Sequence, residues 1–158
     1  MTLRDQIENF LNGIKSDLVS NYDKLGLRAS GNWEKELETQ IEETSTGYHA
    51  KILGSDYTWY LENGRKPNAN QSPDSLRAWV GWAGSTFLKD WVERKGIPAN
   101  PFAVAYKIAR EGVKVPNRFN QGGIVSDVIT QDRIDSFNEN FNILLIENIK
   151  SDLLKTFK

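Results

Sequence analysis

The sequence predicts an α+β fold, in which a small antiparallel sheet is packed by N-terminal, central and long C-terminal helices. Two observations carry this prediction. Apolar residues recur every three or four positions near both ends of the chain, as they do in amphipathic helices. Residues 33–54 instead alternate in side-chain character, as in a β-hairpin with one wet face. The 158 residues are enough for one domain, 1–158, with a buried core.

The first predicted element is an amphipathic helix over about residues 2–22. Thr2 precedes it as a plausible N-cap, because a threonine oxygen can accept a hydrogen bond from a free amide of the first turn. Gly26 and Gly31 bracket the loop that follows. The apolar positions of the helix follow steps of three and four: Leu3, Ile7, Phe10, Leu11, Ile14, Leu18 and Val19.

The predicted hairpin covers residues 33–54. Alternation from Trp33 to Glu42 indicates the first strand, TSTG at 44–47 supplies the turn, and a second alternating run completes the pair. One face of the first strand is acidic, and we expect it to be solvated. Such a row of like charges also discourages edge-to-edge pairing with another sheet.

Residues 56–68, DYTWYLENGRKPN, combine three rings, a glycine and two adjacent cations. We expect the rings to pin the exit from the hairpin into the core. The glycine would permit a turn, and the cations would lie on the rim. In order, these residues are Tyr57, Trp59, Tyr60, Gly64, Arg65 and Lys66.

A helical insertion is predicted at about residues 68–96. Ser72 before Pro73 is typical of a helix start, and helical spacing continues to about residue 94, although Gly81 and Gly84 weaken it. Most tryptophans of this segment fall on the apolar stripe and are expected in the core. Trp82 lies off the centre of the stripe and is a candidate anchor for a partner.

The last third of the chain predicts a compact helix, an arm and a long terminal helix. PFAVAYKIAREG, from residue 101, is the compact helix, and Pro116 with paired glycines indicates an extended arm at about 112–129. We expect this arm to become ordered against an adjacent subunit. From Asp132 a long helix carries apolar residues on more than one face, including Ile143 and Ile146, which indicates a second packing partner.

Composition and motifs exclude several chemistries. The chain has no cysteine, which excludes disulfides, thiolate catalysis and cysteine-ligated metals, and its net charge of -1 argues against a general polyanion binder. It carries no nucleophile or phosphate-loop motif, and His49, the single histidine, is best explained as a structural or surface residue. We therefore expect no enzyme activity, no cofactor and no metal. No segment resembles a signal peptide or a membrane span, so a cytoplasmic location or a particle assembled there is expected.

Three short motifs follow one another along the chain: LRASGNW at 27–33 opens the hairpin, YTWYLENGR follows at 57–65, and IPANPF stands at 97–102. Their order resembles that in the neck and tail-completion (head–tail joining) proteins of tailed phages. The resemblance covers most of the chain in order, with the insertion and the arm as departures. Its aromatic–acid–glycine element matches Tyr57, Tyr60, Glu62 and Gly64, and its Pro–Phe element matches Pro98, Pro101 and Phe102.

The resemblance implies a structural role. Such proteins form homo-oligomeric rings in the virion, between the portal or connector and the tail, and DNA passes through the ring. The implied partners are further copies, portal and tail proteins, with no membrane and no small-molecule substrate. An adaptor in a phage-derived toxin or secretion apparatus would share this logic. The alternative is a small enzyme or nucleic-acid-processing factor that uses the loop at 56–66, with Tyr57, Glu62, Arg65 and Lys66 as its site.

Overall fold

The computed structural model describes residues 2–68, 70, 72–81 and 88–156, and it confirms the α+β class. Within these residues one two-stranded antiparallel sheet is accompanied by seven helices. The elements are α1 (Leu3–Lys24), α2 (Asn32–Lys35), β1 (Glu38–Thr44), β2 (Gly47–Leu53), α3 (Tyr57–Asn63), α4 (Pro73–Val80), α5 (Leu88–Arg94), α6 (Pro101–Glu111) and α7 (Gln131–Thr156).

Helix α1 begins with the predicted cap. Thr2 Oγ1 accepts a hydrogen bond from the Asp5 amide at 3.1 Å, and the Asp5 carboxylate accepts one from the Thr2 amide at 2.7 Å. This reciprocal pair satisfies two amides that the helix itself leaves free. The apolar face of the helix is buried through Ile7, Leu11, Ile14, Leu18 and Tyr22.

The hairpin forms in register Ile41 opposite Ala50, but it begins later than predicted. Residues 32–35 are a short helix, α2, because Trp33 is drawn into the core. Its ring lies 4.5 Å from that of Tyr22, and its Nε1 donates to Thr58 Oγ1 at 2.8 Å. A tertiary anchor thus overrides the alternating pattern at the start of the predicted strand.

A first cluster of buried side chains joins α1 to the loops and helices around it. Residues 112–129, predicted as an extended arm, supply part of this cluster through a series of turns. Ile124 is completely buried, and the carboxamide of Asn21 donates to the Gly123 carbonyl at 2.8 Å. The arm therefore lies against the core of its own chain. The cluster comprises Ile14, Leu18, Tyr22, Leu27, Trp33, Leu37, Leu61, Ile124 and Val128.

A second cluster lies between α4, α5 and α6. Ser72 caps α4, Pro73 opens it as predicted, and the helix ends at Gly81, which has a φ of 78° and donates its amide to the Arg77 carbonyl. The helical segment predicted to about residue 94 is therefore split at Gly81, one of the two glycines that weaken its pattern, and its second part is α5. The cluster comprises Leu76, Val80, Leu88, Val92, Ala105 and Ala109, with Trp79 and Trp91 packed against it.

The chain enters and leaves this helical unit at one place. Arg65 and Val113 exchange backbone hydrogen bonds of 2.8 and 2.7 Å, and each follows a glycine that ends a helix. We call Gly64, Arg65, Gly112 and Val113 the two-glycine junction. Both glycines have a positive φ, of 78° and 73°. A Cβ on Gly64 would lie 2.1 Å from the Val113 carbonyl oxygen, so only glycine fits this approach.

Two further contacts attach parts of the molecule to each other. The Lys95 ammonium donates to the carbonyls of Gly26 and Arg28 at 2.6 and 2.9 Å, which ties the end of α5 to the loop after α1. Helix α7 packs on α1 through its first half, where Phe137 stacks on Phe10 at 4.0 Å. None of the described helices combines the length and the apolar character that a membrane span requires.

Candidate functional site

The second half of α7 carries five of the twelve large apolar side chains that are exposed in the described part of the chain. Helix α7 carries ten large apolar residues, yet none of its described side chains is buried. Those nearest its start pack on α1, whereas five beyond residue 142 are between 51% and 69% exposed: Ile143, Ile146, Ile149, Leu153 and Leu154. We call residues 143–156 the distal half of α7.

The spacing within the distal half favours contact with another protein surface. Ile146, Ile149 and Leu153 follow steps of three and four, so they form one stripe along the helix. Ile143 and Leu154 widen that stripe on one side. An exposed apolar stripe of this kind is the form in which helices insert into grooves or pair with other helices.

A second exposed surface lies on α3, where the sequence had predicted buried rings. Tyr57 and Tyr60 are each 46% exposed and Trp59 is 67% exposed, so the prediction that these rings pin the chain into the core is wrong. The segment is helical, and its inward face carries Leu61, which is buried, and Thr58, which binds Trp33. The helical period turns the rings to the outside.

The rings of α3 border a shallow depression of about 410 Å³. It is lined by Ser55, Asp56, Trp59 and Tyr60. Asp56 occupies the N-cap position of α3, but its carboxylate makes no capping hydrogen bond, and the Tyr57 amide donates to Ser55 Oγ instead. We call Asp56, Tyr57, Trp59 and Tyr60 the α3 aromatic patch.

The phenol of Tyr57 is partly removed from water. Desolvation raises the pKa of its phenol above the usual value, and the nearby Tyr22 adds a smaller contribution. Trp59 and Tyr60 are therefore the residues through which the patch can be altered with the least effect on the core.

The other predicted site residues of this stretch hold the fold together. Glu62 uses both carboxylate oxygens, accepting from the Val125 amide at 2.9 Å and from Ser126 Oγ at 2.5 Å. The Arg65 guanidinium lies over the Trp79 ring at 4.5 Å and beside Tyr60 at 6.0 Å. Lys66 is exposed, and the side chains of Glu62 and Arg65 are engaged in the contacts just described.

The Pro–Phe element forms the start of α6. The Asn100 side chain accepts from the Phe102 amide at 2.8 Å, and Pro101 takes the first helical position. Phe102 is 45% exposed and Pro98 is exposed, so both belong to the outer surface. Trp82, the predicted partner anchor, lies outside the described residues.

The described residues contain no group of three acidic, histidine or cysteine side chains that could hold a metal ion. His49 stands exposed on β2, opposite Glu42. Ile149, Leu153 and Leu154 were predicted only as parts of a helix, although apolar residues on more than one face of that helix signal such exposure. Comparison of the chain with protein-family models, curated proteins and solved structures gives no match.

Proposed function

We propose that this protein is a structural assembly subunit without catalytic activity: a component of the neck that joins head and tail in a tailed phage. One observation carries the assembly role. A 26-residue helix, about 39 Å long at the usual rise per residue, has none of its described side chains buried although ten are large and apolar. Such a helix gains its packing partner from outside the chain.

The energetic incentive for assembly is substantial. Complete burial of an isoleucine or leucine side chain contributes roughly 1.5–3 kcal/mol, so five that are about half exposed offer on the order of 5 kcal/mol per subunit. This free energy is several times what burial of one exposed leucine would contribute, and single exposed leucines are common on protein surfaces. Contact with a partner surface is therefore the favoured state of the distal half.

The ring form is supported by the presence of two different exposed surfaces. A closed ring is built from head-to-tail contacts, in which one surface of each subunit meets a different surface of the next. The distal half of α7 and the α3 aromatic patch are two such surfaces on one chain. The net charge of -1 is compatible with a channel in which DNA slides without being held.

The phage-neck assignment takes its specific content from the motif resemblance. It makes further copies, the portal or connector and the tail proteins the partners, places the protein in the virion, and treats DNA as passing cargo. The engagement of Glu62 and Arg65 in contacts within the fold supports a structural role for YTWYLENGR over a catalytic one.

The test is the mass and shape of the purified protein, alone and with the portal and tail proteins encoded by neighbouring genes. We expect a ring by electron microscopy and a multimeric mass by light scattering. Ile149→Asp with Leu153→Asp should abolish it, whereas Asn148→Asp with Ser151→Asp, which adds the same charge to the polar side of α7, should not. A protein that stays monomeric both alone and with the portal and tail proteins would refute the proposal.

A further inference from the structure

We propose that the distal half of α7 in one copy docks on the α3 aromatic patch of the next copy. This inference rests on the proposed function, because it names the two surfaces through which the subunits would assemble. The occupant of each surface is therefore another copy of this chain.

The shapes of the two surfaces are complementary. The distal half presents a convex stripe of aliphatic side chains, Ile146, Ile149 and Leu153. The α3 aromatic patch borders a shallow depression, and Trp59, its most exposed ring, is 67% exposed. Aromatic rings beside a depression are the preferred anchors of protein interfaces, because they bury a large area with few rotatable bonds.

The two surfaces also carry one pair of opposite charges that could meet, Asp56 and Lys150. The distal half is neutral as a whole, because Glu147 and Asp152 balance Lys150 and Lys155. Within the described part of the chain, no ion pair engages Asp56 in the patch or Lys150 in the distal half. By contrast, the Lys155 ammonium is paired with Asp152 at 3.2 Å. Docking would bring together a cation and a carboxylate that form no ion pair with any other described residue.

Pairing of α7 with α7 of another copy is the competing arrangement. It would cover Ile146, Ile149 and Leu153, but it would leave the three rings of the α3 aromatic patch in water. The heterologous contact covers both surfaces at once. It also leaves one free surface of each kind at the ends of any open chain, which is the condition for closing a ring.

The size of the contact sets the expected strength. Eight large side chains, each about half exposed, together with their polar neighbours bury on the order of 1,000 Å² in total, at or below the lower end of stable interfaces. A single contact should therefore be weak, and assembly should depend on protein concentration. Closure of a ring would then strengthen it, since each subunit makes two contacts.

The test uses two variants that each lose one surface. The helix variant carries Ile149→Asp and Leu153→Asp, and the patch variant carries Trp59→Ser and Tyr60→Ser. Each alone should stay monomeric under conditions in which the unaltered protein assembles. Their mixture should give a 1:1 heterodimer that does not grow, because it contains one intact helix and one intact patch. Native mass spectrometry with one variant isotopically labelled measures this directly, and circular dichroism checks that each variant is folded.

The outcomes separate this inference from the proposed function. If the mixed variants form no heterodimer at concentrations at which the unaltered protein forms open dimers through a single contact, the docking pair is wrong and the assembly role stands. If the patch variant assembles as well as the unaltered protein, the patch is not the docking surface and the same conclusion follows. If the unaltered protein stays monomeric even with portal and tail proteins, both proposals fail.

A charge reversal provides an independent readout on folded protein. Asp56→Lys should raise the protein concentration at half assembly by about two- to five-fold, as expected for one partly exposed ion pair. Lys150→Asp in the same chain should restore it. Failure of the second change to rescue the first would overturn the pairing of these two residues.

Discussion

Replacement of Gly64 by alanine tests the two-glycine junction most sharply. The new Cβ would lie 2.1 Å from the Val113 carbonyl oxygen, far inside van der Waals contact, at a φ of 78°. At a φ of 78° and a ψ of −169° the backbone lies in a region that essentially only glycine populates, which alone costs about 1–3 kcal/mol for alanine. Relief of the clash requires the Arg65–Val113 pair to separate, which removes two backbone hydrogen bonds worth about 1 kcal/mol each. We expect a total loss of about 3–5 kcal/mol in the free energy of unfolding.

Gly26→Ala is the matched control. Gly26 has a φ of 67°, but a Cβ there meets nothing within 4 Å. It should therefore show the conformational cost of about 1–2 kcal/mol without the clash. Urea denaturation measures both variants, and hydrogen exchange at the Arg65 and Val113 amides should accelerate only in the Gly64 variant. Equal destabilisation of the two variants would refute the reasoning.

Gly112→Ala extends the same experiment. Its Cβ would lie 2.3 Å from the Arg65 carbonyl oxygen, so it strikes the same pair of residues from the other side. The double variant with Gly64→Ala should lose less than the sum of the two single losses, because the hydrogen bonds can be broken only once.

Three further predictions concern contacts that hold the fold. Glu62→Ala should lower the free energy of unfolding by about 1–3 kcal/mol and speed hydrogen exchange around Val125, because two hydrogen bonds to that segment are lost; an unchanged melting temperature would contradict this. The hydrogen bond from Arg28 lowers the pKa of Asp23, so the stabilisation by this carboxylate is present above the ordinary pKa of 3.8 and disappears as the pH falls through the lower pKa of the folded state. The difference in free energy of unfolding between the unaltered protein and Asp23→Asn, measured by urea denaturation from pH 6 to pH 2, should therefore shrink. A difference that stays constant would count against this prediction. Lys95→Met should loosen the tie between α5 and the loop after α1, seen as faster exchange of the amides near Gly26 without loss of helix content, and unaltered exchange there would argue that the tie is incidental.

Local signals predicted the elements whose cause is local. Helices α1, α6 and α7 follow from apolar spacing, and the caps at Thr2 and Ser72 were identified from residue type alone. These features depend on side chains within one or two turns of each other. The hairpin was predicted for the same reason, although its first residues were not.

The errors occur where a distant contact decides the conformation. Trp33 is helical because Tyr22 and Thr58 hold its ring, and neither contact is visible in an alternating pattern. Residues 112–129 contain proline and glycines and therefore predict an extended arm, yet burial of Ile124 folds them onto the core. Neither of these contacts between residues distant in the sequence could be predicted from the local residue pattern.

The candidate site shows the same division. The breadth of apolar character on α7 predicted a second partner, and the distal half is indeed exposed. The rings of α3 were predicted to be buried because aromatic residues usually are, but a seven-residue helix has room to bury only one face. Which aromatic residues face solvent depends on the helical phase, and the residue pattern predicts this segment as the exit from the hairpin and a loop, not as a helix.

The two-glycine junction determines how this chain could be shortened. No described residue between 66 and 112 belongs to the first cluster, and the described members of the second cluster all lie within that interval. Arg65 and Val113, which flank it, are already paired as neighbouring residues of a hairpin would be. A tight turn of a few residues could therefore replace the whole interval without moving either end. The helical unit is therefore an insertion that can be gained, exchanged or removed as one piece. The remainder of the protein would keep its helices, its hairpin and both of its exposed surfaces.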